Sequence, residues 1–411
     1  MATIKAFECI KPTKELAKEV AALPYDVYNR EEACEAVKGK KYSFLRIDRA
    51  ETQFDSSVDT YDDRVYAKAK ELLDDMINEG VYVKENKKCY YIYELTMDGR
   101  IQTGIVACAS IDDYLNNVIK KHENTRAEKE IDRIRHVDTC NAQTGPIFLA
   151  YRENKKISEV INEVKKTEPI FAFVADDGIK HVGYIIDKDE DIKTIENEFS
   201  NINNIYIADG HHRAASAVKV GIKRREEHPD YDGTEEFNYF LSVLFQEQEL
   251  MIMPYNRVVK DLNGLTSDEF IEEVKKSFDI EKVGTEPYNP QKKGEVGMYL
   301  ENVWYKLSAK NEILSDDAVE GLDVSLLQNN VLNPILGIAD PRIDKRIDFI
   351  GGIRGLAELE RRCALDMKVA FAMYPTSIQE LFNVADAGKL MPPKSTWFEP
   401  KLRSGLFIHE I

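Results

Sequence analysis

The stretch that most constrains the fold of this chain is residues 204–222, NIYIADGHHRAASAVKVGI, where a strand pattern changes into a helix pattern. Residues 205–208 form a short apolar run that contains β-branched side chains, which predicts a buried strand. From His211 onwards, small and apolar residues recur three and four positions apart, which predicts a helix with one closely packing face. The pattern therefore predicts a strand-to-helix turn at 209–213, called the 209–213 turn below.

Such a turn is suited to binding an anion, because the first turn of a helix offers unpaired N–H groups and the positive end of the helix dipole. Gly210 would let a ligand approach the main chain closely, and Arg213 would offer a guanidinium fork to phosphate or carboxylate oxygens. Asp209 could cap the helix, accept a proton or hold Mg²⁺. A capped helix with a surface arginine and two solvated histidines is the alternative that the pattern leaves open.

Length and charge limit the classes of function. A chain of 411 residues suggests two or three domains, and 43% hydrophobic with 31% charged residues is ordinary for a globular protein. We find no membrane-spanning run and no signal-peptide pattern, so we expect a cytoplasmic protein without membrane partners. The formal net charge of −17, without a long basic run, argues against nucleic acid as a partner. The six scattered cysteines show no zinc-site or disulfide spacing.

The domain organisation that we predict has three parts. Residues 1–250 form the core with insertions and contain the turn, 251–332 form a small βαββ-like module, and 333–411 return to the core and the site. Within the core, the patterns predict a strand at 42–47, a long amphipathic helix at 62–79, and hairpins at 88–110 and 170–186. The Asp98-Gly99 pair is a strong signal for the first hairpin.

Residues 112–135 are rich in charge and short of apolar side chains, which is typical of a solvated helical segment. Within this segment, a carboxylate beside a histidine, a hydroxyl and an Asp-Arg pair could supply a general base and phosphate contacts. These residues are His122, Glu123, Thr125, Asp132 and Arg133.

Two further segments carry candidate binding residues. In the Pro-Tyr-Asp-Val segment at 24–27, Tyr25 and Asp26 either line the rim of a pocket or belong to a loop packed by its own tyrosine. In the tail MPPKSTWFEPKLRSGL, which begins at 391, an extended Pro-Pro segment precedes a group of donors. We predict that this tail packs beside the 209–213 turn and completes the site, and the alternative is a solvated surface tail. The donors of the tail are Lys394, Ser395, Thr396 and Lys401.

Four segments together resemble a known family. They are LPYDV at 23–27, KKHENTRAEKEIDR at 120–133, IADGHHRAASA at 207–217 and MPPKSTWFEPKLRSGL at 391–406. They resemble the large bacterial and archaeal family of unknown function 1015 (DUF1015), and the resemblance runs along nearly the whole chain. This family is itself similar to the free-serine kinases. The resemblance implies an α+β fold, with a ParB/sulfiredoxin-like mixed-sheet core, large insertions and a C-terminal α/β extension.

The same resemblance implies a phosphotransferase. It would move a phosphoryl group between a nucleotide, ADP or ATP, and a small hydroxyl substrate, with free L-serine or O-phosphoserine as the first choice, in either direction. Mg²⁺ is expected from the reaction class, with Asp209 as a candidate ligand. In those kinases a His-Glu pair supplies the catalytic carboxylate and an Asp-Gly-x-His-Arg turn holds the nucleotide phosphates. The resemblance puts Glu123 in the position of the base, and Asp209, Gly210, His212 and Arg213 in the positions of the phosphate turn. Together with the residues found from the patterns above, the catalytic candidates are Glu123, Asp209 and His212, the phosphate-binding candidates Gly210, His211, Arg213, Lys394, Ser395 and Thr396, and the substrate-binding candidates Tyr25, Asp26, His122, Arg133 and Lys401.

The chain departs from the related families in ways that bear on function. The small kinases keep the two motifs much closer together, whereas here the hairpin at 170–186 lies between them. Sulfiredoxins have cysteine at the third position of the turn, and His211 at that position provides no thiol for sulfinic-acid reduction. A nucleotide-binding regulator without turnover, in the style of the ParB proteins, is the alternative function, followed by a ParB-like nucleic-acid binder.

Overall fold

The computed structural model describes residues 1–125 and 127–411, and the chain divides into two units. The first unit contains Met1–Leu250 together with Pro400–Ile411, and the second contains Met251–Glu399. Strands of the predicted module at 251–332 pair in one sheet with strands from 333–399, so both segments contribute to the second unit.

The α-helices are named in chain order. They are α1 Ala17–Val20, α2 Arg30–Ala36, α3 Leu45–Asp48, α4 Asp63–Asn78, α5 Ile111–Leu115, α6 Ala127–Cys140, α7 Lys155–Val164, α8 Asp189–Phe199, α9 His211–Glu227, α10 Ser267–Val274, α11 Asp323–Leu327, α12 Leu356–Leu365 and α13 Ile378–Asp386.

The strands are named in the same way. They are β1 Ile4–Lys5, β2 Ile10–Pro12, β3 Tyr82–Lys84, β4 Tyr90–Met97, β5 Arg100–Ser110, β6 Ile119–Lys120, β7 Ala142–Gln143, β8 Ile147–Tyr151, β9 Phe171–Val174, β10 Lys180–Ile186, β11 Ile205–Asp209, β12 Tyr239–Gln246, β13 Ile252–Met253, β14 Tyr255–Val259, β15 Phe278–Gly284, β16 Glu295–Leu300, β17 Val303–Ala309, β18 Ile347–Gly351, β19 Val369–Met373, β20 Trp397–Phe398 and β21 His409–Glu410.

The first unit is built on a mixed sheet with the order β6-β11-β8-β12-β5-β4-β10-β9, and β1 pairs with β5. The pairs β6–β11 and β8–β12 are parallel, and the other pairs are antiparallel. Because helices and a mixed sheet share the chain, the fold class is α+β, as the sequence analysis predicted. The second unit has an antiparallel sheet with the order β15-β17-β16-β19-β14-β18.

Both predicted hairpins are confirmed. Strands β4 and β5 pair through a two-residue turn in which Asp98 has φ 50° and Gly99 has φ 79°. Two positive φ angles in succession are the signature of the type I′ turn that suits the twist of a hairpin. Strands β9 and β10 form the second hairpin.

The core beneath the 209–213 turn explains why the sequence places small residues on α9. Ala214, Ala217 and Val218 are buried in the main hydrophobic cluster with side chains from β8, β11 and β12. A Cβ at Gly221 would lie 2.4 Å from the Phe237 carbonyl oxygen, so only glycine allows the helix to approach this closely. The small face therefore fixes the position of the helix, and with it the turn at its N-terminus.

Two predictions of local structure were wrong. Residues 42–47 do not form a strand, because Leu45–Asp48 is the short helix α3, which buries Leu45 and Ile47 in a second cluster with residues of α4. Periodicity alone cannot distinguish a strand from a helix in so short an apolar run. Residues 112–135 are not one solvated helix, since β6 interrupts them and α6 buries Glu130 and Arg133.

Candidate functional site

The 209–213 turn forms where β11 ends at Asp209 and α9 begins at His211. Gly210 lies between them at φ 94°, a left-handed conformation that glycine adopts without strain. A Cβ at Gly210 would lie 3.0 Å from Nη2 of Arg213 and 3.1 Å from its Nε. The guanidinium of Arg213 thus packs closely against Gly210, and a side chain at position 210 would crowd it.

Asp209 is held by two contacts. Its Oδ1 accepts a hydrogen bond of 2.8 Å from the main-chain N–H of Gly210, and its Oδ2 lies 3.0 Å from Nζ of Lys401. Burial by itself raises the pKa of Asp209, but the positive charges of Lys401 and Arg213 lower it well below its ordinary value. Asp209 is therefore an ionised carboxylate and a weak base. In the described part of the chain, no side chain caps the N-terminus of α9, where the N-cap residue is Gly210.

His211 links the turn to the segment that carries Glu123. Its Nε2 lies 3.4 Å from the main-chain nitrogen of His122, and its Nδ1 lies 3.9 Å from Oε2 of Glu123. The rings of His122 and His211 pack edge to face, with centroids 4.4 Å apart. Burial lowers the pKa of His211 to about 4 and that of His122 to about 3, so both rings are neutral at pH 7.

Beside the turn, Arg213 and Arg133 line the same cavity, called the first cavity below. Nη1 of Arg213 donates a hydrogen bond of 2.7 Å to the Pro146 carbonyl oxygen, which fixes the guanidinium. The two arginines come from different helices, α9 and α6. Both guanidinium groups therefore face a cavity whose lining also includes the carboxylate of Asp48, and a guanidinium is a group that can bind phosphate oxygens.

Arg133 is positioned by an aromatic ring and a carboxylate. Its guanidinium lies 4.1 Å from the centroid of the Tyr25 ring, and its Nε and Nη2 bind Oδ2 of Asp132 at 2.9 and 2.8 Å. Burial alone would lower the pKa of Arg133, but Asp132 and neighbouring groups raise it, so the guanidinium stays charged. Burial raises the pKa of Tyr25 to about 12, which keeps the phenol protonated.

A second cavity shares Tyr25, Asp48, Arg133 and His136 with the first. Asp26, which the sequence analysis placed at a pocket rim, lines this second cavity. The two cavities are therefore adjacent.

The predicted site residues fall into two groups in the first unit and one in the second. Asp209, Gly210, His211, His122, Glu123 and Lys401 surround the turn, and Tyr25, Asp26, Arg133 and Arg213 line the two cavities. The side chain of His212 is half-buried at the start of α9, where its carbonyl accepts a hydrogen bond from Ser216.

Lys394, Ser395 and Thr396 belong to the second unit, so their predicted place in the site remains a prediction. There, Nζ of Lys394 lies 5.4 Å from the centroid of the Tyr255 ring. The hydroxyl of Ser395 donates to the Pro392 carbonyl oxygen at 2.6 Å. Lys394 and Ser395 thus make these contacts within the second unit.

The residues near the turn do not by themselves make a metal site. Among residues 1–125 and 127–411, no group of three or more His, Cys, Asp or Glu side chains is arranged to hold a metal ion. Asp209, the candidate Mg²⁺ ligand, already pairs with Lys401. The donor set therefore does not fit a resident Mg²⁺ ion, and the requirement for Mg²⁺ remains a prediction.

Sequence reasoning missed several polar residues of the site. Asp48, His136, Thr144 and Ser404 line the first cavity, and Thr144 donates a hydrogen bond of 3.1 Å to Oδ1 of Asp48. Buried Glu130 binds Thr125 and Lys219 near the turn. Glu130 and Ser404 lie inside two of the four motif segments, so their position in these segments could have indicated a role in the site. Nothing in the sequence around Asp48 indicated such a role.

A family model described as "Protein of unknown function (DUF1015)" matches residues 4–325, most of the chain. The chain belongs to this family. The family assignment made from the four sequence segments is thereby confirmed. Comparison with curated proteins gave no match. Across residues 1–125 and 127–411, none of the helices combines the length and the apolar character needed to cross a membrane.

Three solved structures resemble this member of the family at low identity. A free serine kinase mutant in complex with AMP is 14% identical, with 77% of this chain and 93% of the kinase covered and a TM-score of 0.35. The same kind of kinase mutant in complex with ADP is 14% identical, with coverage of 74% and 93% and a TM-score of 0.35. SbnI with a C-terminal truncation, from Staphylococcus aureus, is 12% identical, with coverage of 73% and 87% and a TM-score of 0.40.

Proposed function

We propose that this protein is a phosphotransferase that moves a phosphoryl group between a nucleotide, ADP or ATP, and a small hydroxyl substrate. The observation that carries the proposal is the convergence of Arg213 and Arg133 on the first cavity, beside the N-terminus of α9. Phosphoryl transfer needs positioning and charge neutralisation more than covalent chemistry from the protein. Two fixed guanidinium groups and a helix N-terminus supply both.

The charges around the turn favour an anionic ligand. The negative charge of Asp209 is offset by Lys401 at 3.0 Å, and that of Asp132 by Arg133 at 2.8 Å. Arg213 adds a positive charge at the turn. A nucleotide phosphate in the first cavity would therefore meet arginine donors whose positions are already set by other contacts, which reduces the entropic cost of binding.

We assign the role of base to Glu123. Its side chain is 35% exposed, so a hydroxyl substrate can reach it, and it lies beside the turn through His211. Asp209 is less suited to the role, because the positive charges around it make it a weak base. Glu123 would orient the acceptor hydroxyl and take its proton as the phosphoryl group transfers.

The acceptor that we propose to test first is free L-serine, with O-phosphoserine for the reverse direction. This choice comes from the similarity of the DUF1015 family to the free-serine kinases. The direct test incubates the purified protein with ADP or ATP and a panel of small alcohols that includes L-serine, and follows products by ³¹P NMR. Formation of a phosphate ester supports the proposal.

The decisive variant is Arg213→Ala, with Arg225→Ala as the matched control. Arg225 is on the same helix and pairs with Asp112 instead of lining the first cavity. Loss of one charged contact to a transferring phosphate costs about 2–4 kcal/mol in the barrier, by analogy with oxyanion-hole deletions. We expect Arg213→Ala to lose transfer and Arg225→Ala to keep it. Nucleotide binding without product from any acceptor would instead indicate a regulator without turnover.

A further inference from the structure

The side chain of His211 spans the segment that carries Glu123. Its Nε2 faces the main-chain N–H of His122 at 3.4 Å, and its Nδ1 faces Oε2 of Glu123 at 3.9 Å. The His211 side chain is almost completely buried, with 5% of the residue exposed. One imidazole thus contacts the backbone of one residue and the carboxylate of the next.

The contact with the backbone defines which nitrogen of His211 carries the proton. A main-chain N–H can only donate, so Nε2 must accept and cannot hold a proton of its own. The proton of the neutral ring is then on Nδ1, which is the nitrogen that faces Glu123. His211 can therefore donate a hydrogen bond to the carboxylate once a small movement closes the distance of 3.9 Å.

The strand pairing shows why this segment needs a side chain to hold it. Strand β6 ends at Lys120, which pairs with Tyr206 in the last position of the parallel β6–β11 ladder. His122 and Glu123 lie beyond that end. The His122 ring, 1% exposed, packs edge to face against His211. Beyond the last residue pair of the β6–β11 ladder, the contacts of His211 therefore link the turn to His122 and Glu123.

We propose that His211 is a positioning residue for Glu123, holding the carboxylate through Nδ1 and its backbone through Nε2. This inference rests on the proposed function, in which Glu123 acts as the base. The sequence analysis had counted His211 among the phosphate-binding candidates. A buried ring with one nitrogen on the main chain and the other towards a carboxylate offers no donor to a phosphate group.

Two substitutions separate the two contacts. In His211→Gln the amide lies near the Nε2 position, so it keeps the backbone contact and loses the donor to Glu123. In His211→Asn the amide lies near the Nδ1 position and keeps that donor. We expect His211→Gln to lower kcat by about 10- to 100-fold. This loss is smaller than the roughly 10²- to 10⁴-fold contribution of a general base, because Glu123 is still present but less well positioned. We expect His211→Asn to recover most of this loss, with KM for the nucleotide unchanged in both variants.

The control is His228→Gln, which removes an exposed histidine at the other end of α9 and should keep full activity. In a Glu123→Gln background, His211→Gln should cause no further loss, because a residue that acts through Glu123 has nothing left to position. Additive losses, equal losses in the Gln and Asn variants, or a change confined to nucleotide KM would each overturn the proposal.

An NMR measurement keeps the test independent of turnover. The ¹⁵N shifts of His211 should show a proton on Nδ1, and the amide proton of His122 should exchange faster in His211→Ala than in the wild-type protein. If the wild-type protein transfers no phosphoryl group, the proposed function fails, and the contact is judged from these spectra alone. A proton on Nε2 would overturn it.

Discussion

Gly210 shows how one residue sets the geometry of the 209–213 turn. Its φ of 94° requires glycine, and the Arg213 guanidinium fills the space that a side chain would need. The same glycine therefore serves the backbone conformation and the position of the arginine that lines the first cavity. Substitution should affect stability through the first property and activity through the second.

We predict that Gly210→Ala lowers the free energy of unfolding by about 1–3 kcal/mol and also impairs transfer, because the new methyl group displaces Arg213. The matched control is Gly178→Ala, since Gly178 has φ 82° and a Cβ added there would meet no atom within 4 Å. Urea denaturation and the transfer assay measure the two effects. A Gly210 variant that loses no more than the Gly178 variant in both assays would contradict the packing argument.

At the same scale, Glu123→Gln keeps the shape and hydrogen bonding of the side chain but cannot accept a proton. Turnover should fall by about 10²- to 10⁴-fold while nucleotide affinity changes little. Steady-state kinetics together with calorimetric titration of the nucleotide measure the two quantities. A fully active variant would move the base to another carboxylate, with Asp26 or Asp132 as the next candidates.

At the scale of elements, the C-terminal segment Pro400–Ile411 is part of the first unit. Strand β21 pairs with β7, and the hydroxyl of Tyr82 donates a hydrogen bond of 2.9 Å to the Gly405 carbonyl oxygen. These contacts hold Lys401 beside Asp209, although 192 residues separate the two in the chain. The segment thus supplies the positive charge that keeps Asp209 ionised.

We predict that Asp209→Asn and Lys401→Met each destabilise the first unit and that their effects are not additive. The coupling energy should be about 1–3 kcal/mol, between the values for exposed and buried pairs, because both side chains are partly exposed. A double-mutant cycle in urea at pH 7 measures it. A coupling energy of zero would mean that Lys401 acts on the ligand alone.

At the scale of the whole molecule, buried histidines link stability to pH. Burial lowers the pKa of His122 and His181 to about 3, and that of His211 to about 4. The ordinary value of about 6.5 applies in the unfolded chain. Between these values the unfolded chain binds more protons than the folded protein, so acidification favours unfolding.

We predict that the free energy of unfolding falls as the pH decreases from 7 towards 5. Each of the three histidines contributes up to about 1.4 kcal/mol per pH unit below pH 6.5. Asp209, whose pKa is lowered, keeps its contribution throughout this range and loses it only at much lower pH. Urea titrations at pH 7, 6 and 5 measure the slope, and the variant His211→Gln should reduce it. Stability independent of pH over this range would contradict the prediction.

The sequence by itself determined the local features of this protein. The Asp98-Gly99 hairpin, the strand-to-helix change at 209–211 and the cap of α10 at Thr266 all follow from residues within a few positions of one another. The four motif segments also identified the family and named Tyr25, Arg133 and Arg213, which line the first cavity. Such features are readable because backbone conformation and capping depend on near neighbours.

Only the tertiary structure decided which distant residues meet. It placed Lys401 on Asp209, turned His211 inward against His122, and brought Asp48 and Arg133 to one cavity. It also made residues 45–48 helical, where the short apolar run was compatible with a strand. Burial and pairing between distant segments depend on how complete faces pack, and no local pattern records the partner that a side chain will find.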